Sequence, residues 1–298
     1  MSIRSAVFAV ATTLSLHAGT GLAQVAATDF FGREVQLAQP AQRIVALGPH
    51  IVENVFSAGA GDRLVGVVEY SDYPEPAADI PRVGNFHSWS LEAIVALRPD
   101  LVIVWGSGNG ADSVAALERL GIKVFVSELR HLEDIARSIR AIGTLAGTAT
   151  AGEPEAQRIE REFQQLRQRY AREQPVTVFY QIWDEPLQTV NGDHMISQVI
   201  TLCGGRNIFT DTALIAPRVN IESVLQSDPD AIVASGMDAA RPEWLDRWRQ
   251  YPALAAVAND ALFFVPPDHL QRPTARLLLG AGQLCEQLVG VAAPDLSR

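Results

Sequence analysis

Residues Leu91–Gly106 read LEAIVALRPDLVIVWG, and Ile221–Gly236, 130 residues later, read IESVLQSDPDAIVASG. Aligned without a gap, the two stretches share Glu92 with Glu222, Pro99 with Pro229, Asp100 with Asp230 and Gly106 with Gly236. Most other positions keep their apolar character. In each copy a polar residue, Ser90 or Asn220, precedes a helical pattern; a Pro-Asp turn follows, then an apolar strand that ends at glycine. The same helix–turn–strand grammar at matching places in two halves of a chain points to a duplicated α/β lobe. Two similar lobes create a cleft between them, and such clefts are where small ligands bind.

The chain has 298 residues, enough for two domains of ordinary size. Nearly half the residues are hydrophobic, which predicts a fully globular body. The N-terminus reads as a secretion signal: Arg4 carries the positive charge, Ala6–Leu16 is a short apolar run, and Gly21-Leu22-Ala23 offers a small-residue cleavage site. The run is too short to span a bilayer. No cysteine follows the cleavage site, so a soluble exported protein starting near Gln24, without a lipid anchor, is expected. Removing Arg4 leaves 23 basic against 34 acidic side chains, a net charge of −11. That balance argues against nucleic acid and against anionic membrane surfaces, which both require basic patches. The two cysteines, Cys203 and Cys285, lie in the second half, and an oxidising compartment favours a disulfide between them over two buried thiols.

Around the repeat, strand and helix patterns alternate. Ala27–Leu37 reads as a hairpin turning at Gly32, and Arg43–Leu47, Leu64–Glu69, Leu101–Trp105 and Lys123–Ser127 read as strands separated by helices. This order predicts a parallel sheet covered on both faces. The segment Glu153–Glu173, EPEAQRIEREFQQLRQRYARE, differs: Ile159, Phe163, Leu166 and Tyr170 form one narrow apolar stripe on a charged helix about 30 Å long. Alternation resumes at Val176–Trp183. The expected organisation is a signal at 1–23, a first α/β lobe at 24–150, a connecting helix at 151–174 and a second α/β lobe at 175–298. The fold class is thus α/β, with two Rossmann-like lobes joined by a single long rigid helix, which permits only small movements of one lobe against the other.

Several motifs bear on function. Gly106-Ser107-Gly108-Asn109-Gly110-Ala111 follows a strand and formally fits the dinucleotide fingerprint, with Glu128 near the expected acidic position. It is not on the first strand, so a glycine-opened loop at the cleft mouth is favoured over an NAD-dependent enzyme. Aromatic residues cluster near predicted strand ends: Tyr70, Tyr73, Phe86, Trp89, Trp105 and Trp183. Residues just beyond the strand C-termini of a doubly wound sheet face its binding crevice, and this set suits a large, flat, partly apolar ligand held by stacking. Trp105 and Trp183 are read as ending corresponding strands of the two lobes. Asp268 and Arg272 form a polar pair beyond a late strand, either hydrogen-bonding a ligand or making a surface ion pair. His50, His87 and His194 fall near the presumed crevice but show no recognised metal-ligand spacing, so no dedicated metal site is expected. Glu92 and Glu222 each sit in the first turn of a helix, where a carboxylate favours the helix dipole. That suffices structurally; the alternative is one exposed glutamate per lobe meeting a two-fold symmetric partner. There is no G-x-S-x-G, no P-loop and no Cys–His arrangement, so no catalytic residue is assigned.

Taken together, YSDYP at Tyr70–Pro74, LEAIVALRPDLVIVW at Leu91–Trp105, LGIKV at Leu120–Val124, LCGGRNIF at Leu202–Phe209 and QLCEQL at Gln283–Leu288 resemble the periplasmic vitamin B12-binding proteins of bacterial cobalamin ABC importers. The wider class is the helical-backbone binding proteins for siderophores, haem and corrinoids, and the resemblance runs from about Arg43 to Leu288. It implies a periplasmic, monomeric, non-catalytic protein without a prosthetic group, carrying a corrinoid to a permease dimer. Glu92 and Glu222 would dock on that dimer, and Cys203 and Cys285 would form the family disulfide. Tyr70, Trp105, Asp268 and Arg272 match corrinoid-contacting positions. The chain departs from the pattern at Phe86 and Ala216, where the resembled proteins carry cleft tryptophans. Either Trp183, Trp89 or His194 fills that space, or the ligand is another corrinoid, haem or a ferric chelate. An exported metal-ion binder is the remaining alternative.

Overall fold

Strand pairing carries the repeat further than the sequence does. The computed structural model describes residues 24–236 and 240–291, so the expected signal at 1–23 lies outside the described residues. An N-terminal hairpin of β1 (Val25–Thr28) and β2 (Glu34–Leu37) turns through Gly32, at φ 77°. The first lobe holds β3 (Ile44–Ala46), β4 (Leu64–Val67), β5 (Leu101–Trp105) and β6 (Val124–Ser127), all parallel, in the order β4-β3-β5-β6. The second holds β7 (Val176–Gln181), β8 (Gly205–Asn207), β9 (Ala231–Ala234) and β10 (Leu262–Phe264), also parallel, in the order β10-β9-β7-β8. Read from the opposite edge this is the same topology. The register also agrees: Leu101 pairs with Ile44 as Ala231 pairs with Val178, and Val102 pairs with Val124 as Ile232 pairs with Leu262.

The repeat builds the same local structure twice. Ser90 accepts a hydrogen bond from the Ala93 amide (3.1 Å) at the start of the helix Leu91–Ala96. Asn220 does the same for Ser223 (2.8 Å) at the start of Ile221–Ser227. Each cap satisfies a backbone donor that the first helical turn leaves open. Both helices end before the residue that precedes proline, Ala96 and Ser227 being their last, because proline disfavours helical geometry at that residue, here Arg98 and Asp228. Those residues, Arg98 (φ 45°) and Asp228 (φ 40°), both take the left-handed conformation. The aspartate after each proline then ties the turn to the neighbouring strand. Asp100 accepts from the amides of Gln42 (2.8 Å) and Arg43 (2.9 Å), and Asp230 accepts from the amide (2.7 Å) and hydroxyl (2.6 Å) of Thr177. β5 and β9 that follow are apolar runs buried on both faces, as central parallel strands must be.

This correspondence corrects one expectation. The partner of β5 is β9, so Trp105 corresponds to Ser235; β7, which leads to Trp183, corresponds to β3. The two tryptophans end non-equivalent strands.

A helix, Ala149–Tyr170, runs between the lobes, starting four residues earlier than the charged stretch and carrying Pro154 in its second turn. Its stripe faces inward: Ile159, Phe163 and Tyr170 are buried in a core that also holds Ile135, Ile139, Leu284 and Leu288 from both lobes. Cys203 and Cys285 form a disulfide joining the helices Met195–Leu202 and Leu277–Val289. Among the described residues no helix is long and apolar enough to cross a membrane.

Candidate functional site

The first lobe gathers aromatic rings at the C-terminal end of β5. Trp105 lies 5.9 Å from Phe86 between ring centroids, tilted at 40°; Phe86 packs on His87 at 3.9 Å, and His50 meets Trp105 edge-on at 5.1 Å. The Gly-Ser-Gly-Asn segment explains how this group is held. It forms a short helix, Gly106–Asn109, whose Gly108 lies against the Trp105 ring; a Cβ there would collide with it. Asn109 is the hub: its Oδ1 accepts from the Trp105 amide (2.6 Å), and its Nδ2 donates to the carbonyls of Leu47 (3.0 Å) and Phe86 (2.6 Å). One side chain thus fastens the β3 end, the Phe86 loop and the tryptophan. Glu128, the acid of the formal dinucleotide fingerprint, instead accepts from the Ser107 amide (2.7 Å). Both the glycine and the acid therefore have local structural roles.

Tyr70, just after β4, is 68% exposed and holds a left-handed backbone at φ 64°. A non-glycine residue in that region is strained, and such residues concentrate at ligand sites. Trp89 instead packs with Phe86 against the apolar layer under the lobe.

The second lobe contributes a different surface. Trp183 is 40% exposed, with its indole N–H donating to the Glu185 carbonyl (3.0 Å). It pairs with Gln188, which pairs in turn with Arg218, and the Gln188 amide donates to the carbonyl of Ala216 (3.1 Å). Exposed Leu214 and Ile215 precede Ala216, so this lip is aliphatic where the first lobe is aromatic. Among the described residues Trp183 makes no ring contact with the Trp105 group. His194 caps the helix Met195–Leu202, its Nδ1 accepting from the Ile196 amide (3.1 Å).

Burial pushes the pKa of His194 down to about 4. Burial, aided by the charge of Arg272, does the same to His50. Both rings are neutral at physiological pH. Among the described residues no group of three His, Cys, Asp or Glu side chains is placed to hold a metal ion.

Asp268 and Arg272 do pair, at 3.0 Å, but not at an open surface. Arg272 also reaches Glu53 (2.9 Å) and Asp72 (3.5 Å) of the first lobe. Sequence reasoning missed Glu53 and Asn109. The partners of Glu53, and Leu47 and Phe86 beside Asn109, lie far away along the chain, and the only signal for Glu53 was a lone acid inside the apolar helix sequence PHIVENVFS. Glu92 and Glu222 are exposed on the first turns of their helices, and among the described residues neither makes an ion pair.

The family model for periplasmic binding proteins matches residues 44–269. A vitamin B12-binding protein of Vibrio cholerae is 39% identical over 250 residues, 84% of this chain and 90% of that protein. The crystal structure of the periplasmic vitamin B12 binding protein of Vibrio cholerae superposes with a TM-score of 0.76 at 38% identity, covering 84% of this chain and 97% of that one. A periplasmic haem binding protein of the same organism shares the fold alone, with a TM-score of 0.73 at 20% identity over 83% of this chain and 98% of that one. With duplicated parallel lobes, an inter-lobe helix and a family match across most of its length, the chain belongs to the periplasmic binding proteins.

Proposed function

We propose that this protein binds a cobalamin-like corrinoid in the periplasm, without catalysis, and delivers it as a monomer to the permease dimer of an ABC importer. The observation that supports the ligand assignment is the Trp105–Phe86 pair, held in place by Asn109 and Gly108 and offering aromatic surface on which a large planar molecule can stack. The names of the relatives support the same class. Tyr70, Trp183 and His194 complete the contact set, with Asp268 and Arg272 supplying polar contacts to amide groups at the floor. In this reading 24–150 and 175–298 are the lobes and 151–174 is the stiff link.

Haem or a ferric chelate is the second reading, favoured by Phe86 and the aliphatic Leu214–Ala216 lip where larger aromatic walls would suit a corrinoid. Titration of the mature protein with cyanocobalamin, haemin and ferric siderophores by calorimetry separates the two. Binding of the iron compounds alone overturns the corrinoid assignment.

Glu92 and Glu222 are proposed as the docking pair. They occupy equivalent places on the two lobes, are exposed, and have no ion-pair partner among the described residues. Glu92→Ala combined with Glu222→Ala is expected to abolish uptake while leaving corrinoid affinity within twofold. A large loss of affinity would assign them to the fold or the cleft.

A further inference from the structure

Glu53 sits in the first-lobe helix Pro49–Ser57, only 3% exposed, yet its carboxylate is bonded entirely by the second lobe. Oε1 accepts from Arg272 (2.9 Å) and from Arg276 Nη2 (2.6 Å); Oε2 accepts from Arg276 Nε (3.0 Å) and from the Thr274 hydroxyl (2.8 Å). The next residue, Asn54, donates to the carbonyl of Pro273 (3.1 Å). From the other side the loop after β4 closes on the same segment: Tyr73 stacks under the Arg276 guanidinium at 4.2 Å, and Asp72 lies 3.5 Å from Arg272. Asp268 completes the group, 3.0 Å from Arg272 and 3.7 Å from Arg276.

The duplicated fold does not require a charge at this place. Glu53 stands four residues before the end of the helix Pro49–Ser57, and Gln198 stands four residues before the end of the corresponding helix Met195–Leu202. Gln198 also reaches the other lobe, accepting from the Leu132 amide (3.2 Å) and donating to the Arg130 carbonyl (2.8 Å), so that crossing is made by neutral groups where the Glu53 crossing is ionic. A buried carboxylate is a poor way to gain stability, since desolvation offsets most of the attraction; its best-attested use is to fix one arrangement among several. Here it joins two lobes that otherwise meet through the Ala149–Tyr170 helix, the core around it and the Gln198 contacts. Burial works against the Arg276 charge, but Glu53, with Asp268 and Tyr73, outweighs it and raises the arginine's pKa.

We infer that Glu53 is the positioning residue of the cleft: it sets the angle between the lobes before ligand arrives and holds Arg272 in the orientation that meets the ligand. The second half of this inference rests on the proposed ligand role of Arg272; the first does not.

The test uses the mature protein with nitroxide labels at Val95→Cys and Gln226→Cys, exposed positions on opposite lobes, and pulsed electron–electron distance measurement. The unsubstituted lock should give one narrow distance distribution, the same with and without cyanocobalamin. Glu53→Gln should broaden it in the free protein and narrow it again on binding. Affinity should fall about tenfold, mainly through slower association, because only a fraction of molecules is binding-competent. In an Arg272→Gln background, Glu53→Gln should cost no further affinity beyond that competence factor. Should Glu53→Gln fail to fold, Arg276→Gln retains the Arg272–Glu53 pair and should give intermediate broadening. A narrow, unshifted distribution in the variant that folds overturns the lobe-setting role, and unaltered affinity overturns the positioning of Arg272. If the parent binds no corrinoid, the ligand assignment fails, while the distance measurement still decides the lobe-setting role.

Discussion

The two lobes agree in their sheets and disagree at their strand ends. β3–β6 and β7–β10 share strand order and matching register, and both repeats use the same cap, the same left-handed residue before proline and the same aspartate tie. At the cleft side the copies part. Trp105 is matched by a buried Ser235, the charged Glu53 by the neutral Gln198, and the disulfide belongs to the second lobe alone. Register and turn geometry are enforced by every buried strand residue at once, because a slip would misplace the whole apolar set. A residue just past a strand end is under no such collective constraint, so there the copies diverged and the lobes took separate tasks.

Breaking the asymmetric elements should have the largest effects. Reducing Cys203–Cys285 opens a closure of 82 residues, which contributes about 4–5 kcal/mol in the chain-entropy model. Hydrogen exchange with and without reductant should show protection lost around the helices Met195–Leu202 and Leu277–Val289 and kept in β3–β6; equal loss in both lobes would break the distinction.

The histidines come next. His50 is held neutral down to about pH 4, whereas an unfolded chain protonates it near 6.5. Its contribution is therefore whole above pH 6.5 and is lost as the pH falls toward 4, by about 3 kcal/mol. His50→Phe should flatten the acid limb of a urea stability–pH profile by that order. An unaltered limb would mean that the ring is not kept neutral.

The conserved grammar of the repeat predicts a smaller, graded difference. Asp230 is buried and satisfies both the amide and the hydroxyl of Thr177, while Asp100 is exposed. Asp230→Ala should cost about 2–3 kcal/mol and Asp100→Ala about 1 kcal/mol in chemical unfolding. Equal costs would show that burial does not grade this shared contact.

Much of the fold was legible from the sequence because its signals are local. Ser90–Gly106 and Asn220–Gly236 carry their caps, turns and strands within seventeen residues, and the expected strand Leu101–Trp105 matches the structure to the residue. The helix from Ala149 reached back past the charged stretch because its first turn packs on the preceding helix, with the Thr148 amide donating to Gly143 (2.7 Å). What was misread depended on sheet order. Trp183 looked like the mate of Trp105 because both follow apolar strands, although the repeat itself sets Ser235 against Trp105, and the pairing of β7 with β9 agrees with the repeat. Asp268 and Arg272 were found as a pair, but their third member, Glu53, lies 219 residues from Arg272, beyond any periodicity.

The proposed ligand assignment gives the lobes unequal shares: the first-lobe aromatic wall would bind ligand, and the corresponding place in the second lobe would not. Calorimetric titration of cyanocobalamin against Trp105→Ala and Ser235→Ala, beside the parent protein, tests this most directly. The account predicts a loss of at least about tenfold, some 1.4 kcal/mol, for Trp105→Ala and parent-like affinity for Ser235→Ala. Parent-like affinity for Trp105→Ala, or equal losses for the two, would contradict it.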